Sequence, residues 1–450
     1  MPEIDSIFSR MRQSQVLRLC LVGILTLVLQ IPIFMISGLV TERQARRETA
    51  VQEVSSKWGG AQAITGPALV LPFVVHRPET SVSGEKTIHD ETGYSVFLPK
   101  RLGVDGRIEA EFRNRGIFSI PVYSVKLAIE GEFTQPEFAQ LGIDPSSVLW
   151  NRAYIALGIS DVRAIREQSS VSWNDRQFSF VPGSGGFLNN EPGVHASVEA
   201  DPTKPAFRFS FPVSLNGSQS FNLAPFAEQT VTHITSNSRS PNFQGSWLPT
   251  QRTVSDSGFD ATWRISYLGR NYPQSWVSGA DVRKAIDASR FGIELSDSVD
   301  HYRMADRSVK YAGLYILLTF AAIWLIEVLS RVRVHPIQYL MLGASLCVFY
   351  LLELSLSEHI AFPFAYAIAC TSVIGMTALY SRVIFPNDRR GSVVAGCVTA
   401  LYGYLFVVLT NEDNALLIGS IGLFVILAAI MYLTRRVDWY ANDGGTTYTT

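Results

Sequence analysis

The sequence predicts a mixed membrane protein: a six-helix α-helical transmembrane bundle with a large all-β periplasmic domain inserted between helices 1 and 2. Three observations carry this expectation. Apolar residues fill 47% of the 450 positions, an ordinary share, yet they gather into one run near the N-terminus and five in the last third. Residues 41–310 between them are ordinary polar sequence. Within that stretch, short β-rich runs alternate with Gly, Pro, Asn and Asp, the spacing of a sandwich or an extended sheet structure.

Charge and cysteine content exclude other classes. Lys and Arg number 38 against 39 Asp and Glu, a net charge of -1, so there is neither a basic nucleic-acid footprint nor an acidic tail. Cys20, Cys347, Cys370 and Cys397 all fall in apolar runs. The insert therefore has no thiol for a disulfide or a zinc ribbon.

Residues 1–18 are expected to form a cytoplasmic tail. The run 19–40 would be about 33 Å long as a helix, enough for a hydrocarbon core of roughly 30 Å. No small-x-small cleavage site follows it, which makes it an uncleaved signal anchor. Gln30 and Pro32 inside it read as a kink repaired by neighbouring helices. Residues 41–57 are charged and lack Gly and Pro, so they continue the helix as a stalk. The stalk ends at Trp58-Gly59-Gly60, with Trp58 seating it.

Residues 58–299 make the β domain. Ten strands are expected, at 68–76, 94–99, 107–113, 122–133, 152–159, 170–180, 194–199, 206–215, 229–236 and 261–267. Alternation is clearest in Phe207-Arg208-Phe209-Ser210-Phe211 and Ile108-Glu109-Ala110-Glu111-Phe112, each with one apolar and one wet face. A helix is expected over 280–291, with Asp281 near its start and Gly292 just past its end. Gly183-Ser184-Gly185-Gly186 marks either a break between sub-domains or a loop. After a connector at 300–310, five helices at 311–329, 337–354, 360–380, 391–410 and 415–433 lead to a cytoplasmic tail, 434–450.

Orientation follows from basic residues, which cytoplasmic loops retain. Arg331 and Arg333 follow the second helix, Arg382, Arg389 and Arg390 the fourth, and Arg435 and Arg436 the sixth. The alternate loops carry Glu358 with His359, and Glu412 with Asp413. Both termini are thereby expected inside and residues 41–310 outside. The first helix carries no bias, since Arg10, Arg12 and Arg18 are matched by Arg43, Arg46 and Arg47.

The motifs of chemistry are missing from the sequence. There is no Gly-rich loop ending in Gly-Lys-Ser/Thr and no Gly-x-Ser-x-Gly elbow. His76, His89, His195, His233, His301, His335 and His359 show no i, i+2 or i, i+4 pair of the kind that grips a metal. No catalytic, cofactor-binding or metal residue is assigned, and no cofactor is expected. His335-Pro336 reads as a helix start. Charged residues in apolar sequence are the remaining candidates, because carboxylates in hydrocarbon are costly and often functional. Glu327, with Arg331 at i+4, is expected to form a snorkelling interfacial ion pair. Glu353 ends an uncharged stretch, and with Glu358 and His359 it could form an outward polar cluster meeting the β domain; the alternative is a solvated interfacial loop.

Several blocks are specific in combination. Trp58-Gly59-Gly60-Ala61-Gln62 leads to Thr65-Gly66-Pro67-Ala68-Leu69-Val70-Leu71-Pro72-Phe73. Arg115-Gly116-Ile117-Phe118 with Pro121-Val122-Tyr123 follows, then Pro241-Asn242-Phe243-Gln244-Gly245 with Leu248-Pro249 and Gly258-Phe259. The membrane part runs from Asp300, Tyr302 and Arg307-Ser308-Val309-Lys310-Tyr311 through His335-Pro336-Ile337-Gln338-Tyr339 to Leu354-Ser355-Leu356-Ser357-Glu358-His359-Ile360. Over nearly the whole chain after Trp58 these blocks resemble the CreD family of inner-membrane proteins. The resemblance implies a Gram-negative inner-membrane protein linked with cell-envelope integrity, in a family often controlled by a two-component sensor system. It implies no established reaction.

The expected work is non-enzymatic: binding envelope components or partner proteins through the β domain and relaying that state through the helices. The expected partners are the lipid bilayer and an envelope protein, glycan or lipid, with no nucleic acid. A transporter or lipid conduit is the first rival, for which Gln30, Glu353, Thr371, Ser372 and Thr377 are the sparse polar material. A periplasmic envelope hydrolase using non-local residues is the second.

Overall fold

The computed structural model describes residues 15–80, 86–187, 191–295, 301–330, 334–385 and 388–435. The chain divides into two compact units, residues 1–47 with 299–450, and residues 48–298. Helix α1, Gln15–Trp58, contributes to both and runs through Pro32 without a break. It stops where Gly59 takes a φ of 137°. A Cβ there would lie 2.8 Å from the Asn216 carbonyl oxygen, so only glycine fits.

The second unit begins with β1 (Gln62–Thr80), β2 (Lys86–Phe97), β3 (Arg101–Arg115) and β4 (Phe118–Thr134). Shorter strands follow: β5 (Tyr154–Ile159), β6 (Ser170–Trp173), β7 (Arg176–Ser179), β8 (Val181–Pro182) and β9 (Gly193–Ser197). Next come β10 (Ala206–Ser218), β11 (Ser220–Leu223), β12 (Gln229–Ser236), β13 (Pro241–Gly245), β14 (Gln251–Ser255), β15 (Gly258–Ser266) and β16 (Ser275–Val277). A short helix α2 (Arg283–Ala288) and β17 (Phe291–Leu295) close it. The strands form two sheets. One has the order β13-β17-β11-β1-β5-β9-β8, with β2 on β1 and β16 on β2; the other runs β14-β15-β12-β3-β4-β10-β6-β7.

The inward side chains of both sheets belong to one hydrophobic core, which includes Leu69 and Ile155 from the first and Val104, Ile129, Phe209 and Ile234 from the second. Strand β1 is the spine of the first sheet. It pairs in parallel with β11 over its first residues, then antiparallel with β5 and β2. In the second sheet the alternation of buried and exposed residues is clear over 101–109 of β3, 125–130 of β4 and 207–213 of β10.

The structure corrects the sequence reading of the β unit in two places, at 170–180 and at 280–291. Residues 170–180 are not one strand but the hairpin β6–β7, turning at Asn174 and Asp175, both at positive φ. Asn-Asp tolerates the left-handed conformation that a tight hairpin needs. The helix expected over 280–291 spans only Arg283–Ala288. Phe291 starts β17 and is buried beside Trp263, and a Cβ on Gly292 would meet the Phe221 carbonyl at 2.1 Å. That glycine permits a close strand pairing and does not stop a helix. Gly183 to Gly186 lie between β8 and β9, which pair with each other in one sheet.

Among the described residues, six helices are long and apolar enough to cross a membrane: Arg18–Trp58, His301–Leu329, Pro336–Ser357, Phe362–Ile384, Arg390–Thr410 and Ala415–Thr434. Five of these lie within α3 (His301–Ser330), α4 (Pro336–Ser357), α5 (Phe362–Ile384), α6 (Asp388–Thr410) and α7 (Ala415–Thr434). Small residues let α1 approach its neighbours. A Cβ on Gly313 of α3 would lie 3.0 Å from the Gln30 amide, and one on Gly343 of α4 only 2.2 Å from Leu29. Helix α4 starts as expected, with His335 as its cap in a capping box with Gln338 and Pro336 in the first turn. Helix α7 has no buried residue.

Candidate functional site

The outward face of the second sheet carries rows of facing polar side chains. Register aligns Arg101 of β3, Glu132 of β4 and Arg208 of β10. Glu132 meets Arg101 at 3.3 Å and Arg208 at 3.6 Å, an acid held between two cations. One row on, Gly103, Glu130, Ser210 and Ser172 face outward. Gly103 has no side chain, so the row sinks into a trough. Two adjoining hollows of about 440 and 640 Å³ share these residues and extend from Arg101 and Asp175 to His233. The trough is open and lined by charges of both signs.

At the far end His233 is clamped between carboxylates, Nδ1 at 2.9 Å from Asp105 and Nε2 at 3.1 Å from Asp260. Hydrogen bonds to Asp105 first, then Asp260, raise the imidazole pKa above its ordinary value. The sign follows from linkage: the charged ring's contribution is fully present below the ordinary value of about 6.5 and fades as pH rises through the raised one. His233 is expected to titrate above that ordinary value when followed by NMR. Asp105→Asn should lower the midpoint and the Asp105→Asn/Asp260→Asn pair should return it to the unperturbed range; an unmoved midpoint would contradict the clamp.

The membrane-type helices hold three buried or nearly buried carboxylates. Arg331, the partner that spacing suggests for Glu327, lies outside the described residues. The Glu327 side chain is 4% exposed, and its Oε1 accepts from the Arg18 guanidinium of α1 and, at 3.3 Å, from the Val334 N–H. Its Oε2 accepts from the Tyr339 hydroxyl at 3.0 Å. Glu327 is thus buried beside a cation that another helix supplies.

Glu353, Glu358 and His359 are not brought into one cluster. Glu353 is buried, and its Oε2 accepts from Ser308 Oγ of α3 at 2.7 Å. Glu358 accepts from the Tyr302 hydroxyl at 2.9 Å and lies 3.7 Å from the Arg43 guanidinium. The two acids thus face successive turns of α3, whereas His359 is exposed. The polar residues weighed for a conduit are also dispersed. Thr371 and Ser372 are exposed and bond back to the Ala367 and Ile368 carbonyls, while Thr377 is buried. Gln30 lies against Gly313.

Six helices of spanning length and a large two-sheet β unit define a multi-pass membrane protein with an extramembrane insert. A family model described as "Inner membrane protein CreD" matches residues 14–440. The chain is 32% identical over 419 residues to "Inner membrane protein CreD" of Escherichia coli (strain K12), an alignment covering 92% of this chain and 91% of that relative. The chain belongs to the CreD family and is a multi-pass inner-membrane protein of the cell envelope.

Proposed function

We propose that the chain is a non-enzymatic envelope-binding protein, with its β unit in the periplasm, both termini in the cytoplasm and its spanning helices packed as a bundle. The observation that carries this reading is the trough on the second sheet, where Arg101, Glu132 and Arg208 form a mixed-charge row and Gly103 deepens the floor. Alternating charge favours an extended polar chain of the envelope over a compact apolar ligand. The basic residues in alternate loops support the orientation.

A photo-crosslinking residue in place of Ser210, inside the trough, is expected to capture an envelope glycan, peptide or lipid in living cells. The same probe at Leu268, exposed away from the trough, should not. Arg101→Glu/Arg208→Glu should weaken capture by about tenfold, equivalent to roughly 1.4 kcal/mol. Equal capture from both positions, or capture indifferent to the charge reversal, would reject the reading. Reporter fusions at Asp388 and Glu412 should report opposite compartments.

A further inference from the structure

We infer that Glu353 is a proton-binding site within the membrane-spanning helices. Two buried glutamates of the same unit are built differently. Glu327 has a guanidinium, a phenol and a backbone N–H around its two oxygens. Glu353 is 1% exposed and, among the described residues, has one hydrogen bond, from Ser308 to Oε2, while its buried Oε1 has no partner. One turn earlier on the same face, the buried Tyr350 hydroxyl also has no partner.

Among the described residues, the titratable groups facing Glu353 are phenols and a thiol. Tyr350 shares its helix, Tyr366 and Cys370 come from α5, and Tyr402 comes from α6. None supplies a positive charge. The Tyr366 hydroxyl is committed to the Tyr402 carbonyl at 2.7 Å. The neighbouring cations are engaged elsewhere: Arg307 donates to the Val408 and Leu409 carbonyls at 3.2 and 3.3 Å, and Arg43 lies beside Glu358.

A carboxylate with a single neutral donor in hydrocarbon costs several kcal/mol, and adding one proton to Oε1 removes that charge. The balance is simple: the carboxylate takes up H⁺ to become the acid, and Ser308 continues to donate to Oε2. A metal cation fits less well, because Glu353, Ser308 and Tyr350 offer few oxygens and helix carbonyls are already bonded within their own helices. Release of the proton would leave an unpaired charge between α3 and α4, which water entry or a shift of α3 against α4 must relieve. Occupancy by the proton is thus tied to how these two helices pack.

Infrared spectroscopy of the full-length protein in nanodiscs tests this directly. At neutral pH the wild type should show the carbonyl stretch of a protonated, slowly exchanging carboxyl group. The band should be lost in Glu353→Gln, an isostere of the protonated acid, and kept in Glu358→Gln. Ser308→Ala, which removes the donor to Oε2, should shift it to higher frequency and covers the case in which Glu353→Gln fails to fold. A band that survives Glu353→Gln, or one that Ser308→Ala leaves unmoved, would overturn the assignment. Loss of the band when sodium replaces choline would overturn it in favour of a metal-cation site.

Discussion

Replacing Arg18 by leucine is expected to destabilise the helical unit by about 3 kcal/mol, the low end of the scale for removing one partner of a buried ion pair, because Glu327 is buried while Arg18 is part-exposed. The cause is the charge left behind. Glu327 would keep the Tyr339 hydroxyl and the Val334 N–H but lose its cation. The double variant Arg18→Leu/Glu327→Leu should recover most of the loss, because two well-packed apolar side chains replace a buried pair at little cost. Thermal unfolding of the full-length protein in detergent reads both effects. A single variant within about 1 kcal/mol of wild type, or a double variant no better than the single one, would show that the pair is dispensable.

The largest effect in the β unit is expected at Trp173. Its ring is buried, stacks on Phe207 at 5.4 Å with an interplanar angle of 14°, and leans on Phe133 at 5.9 Å. Its Nε1 donates to the Glu199 carbonyl at 2.9 Å, tying β6 of the second sheet to the chain just beyond β9 of the first. Trp173→Ala should cost about 3–5 kcal/mol, part cavity and part stranded carbonyl. Leu268→Ala, at a side chain 79% exposed, should stay within about 0.5 kcal/mol. Denaturant titration of the full-length protein, followed by the β signal in circular dichroism, compares the two. Similar midpoints would mean that the core does not depend on this indole.

Strands with one wet face were legible from sequence. The run at 229–236 matches β12, and the alternation through Ile108 and Phe209 belongs to strands that alternate in the structure. The short strands β8, β11, β13, β14, β16 and β17 fall outside the ten expected runs. Their pattern is too brief or absent: all five residues of β14 are exposed, and β13 begins with Pro241, which reads as a turn. A five-residue strand next to a helical run also passes for the end of that helix, as β17 did.

The candidate sites divide the same way. Glu327, Glu353 and Glu358 stand out as acids among apolar residues, but their partners do not. Arg18 is 309 positions from Glu327, beyond the reach of any local spacing rule. The mixed-charge row of the trough draws Arg101, Glu132 and Arg208 from three strands. No spacing rule links them until register is known.

Strand β1 also sets a timetable for biosynthesis. Gln62 to Ile64 pair with Phe221 to Leu223, and that strand in turn waits for Phe291 to Glu294. A chain made at about 5–20 residues per second completes this set only on the order of tens of seconds after β1 emerges. Until then the apolar Leu69 to Phe73 segment has the β2 hairpin as its nearest shelter in sequence. β17 ends at Leu295 and α3 begins at His301, so closure of the first sheet and arrival of the second spanning helix are consecutive events. A polypeptide stalled or cut between β11 and β17 would leave the first sheet open at that edge, an exposed template for aggregation and for proteolytic clearance.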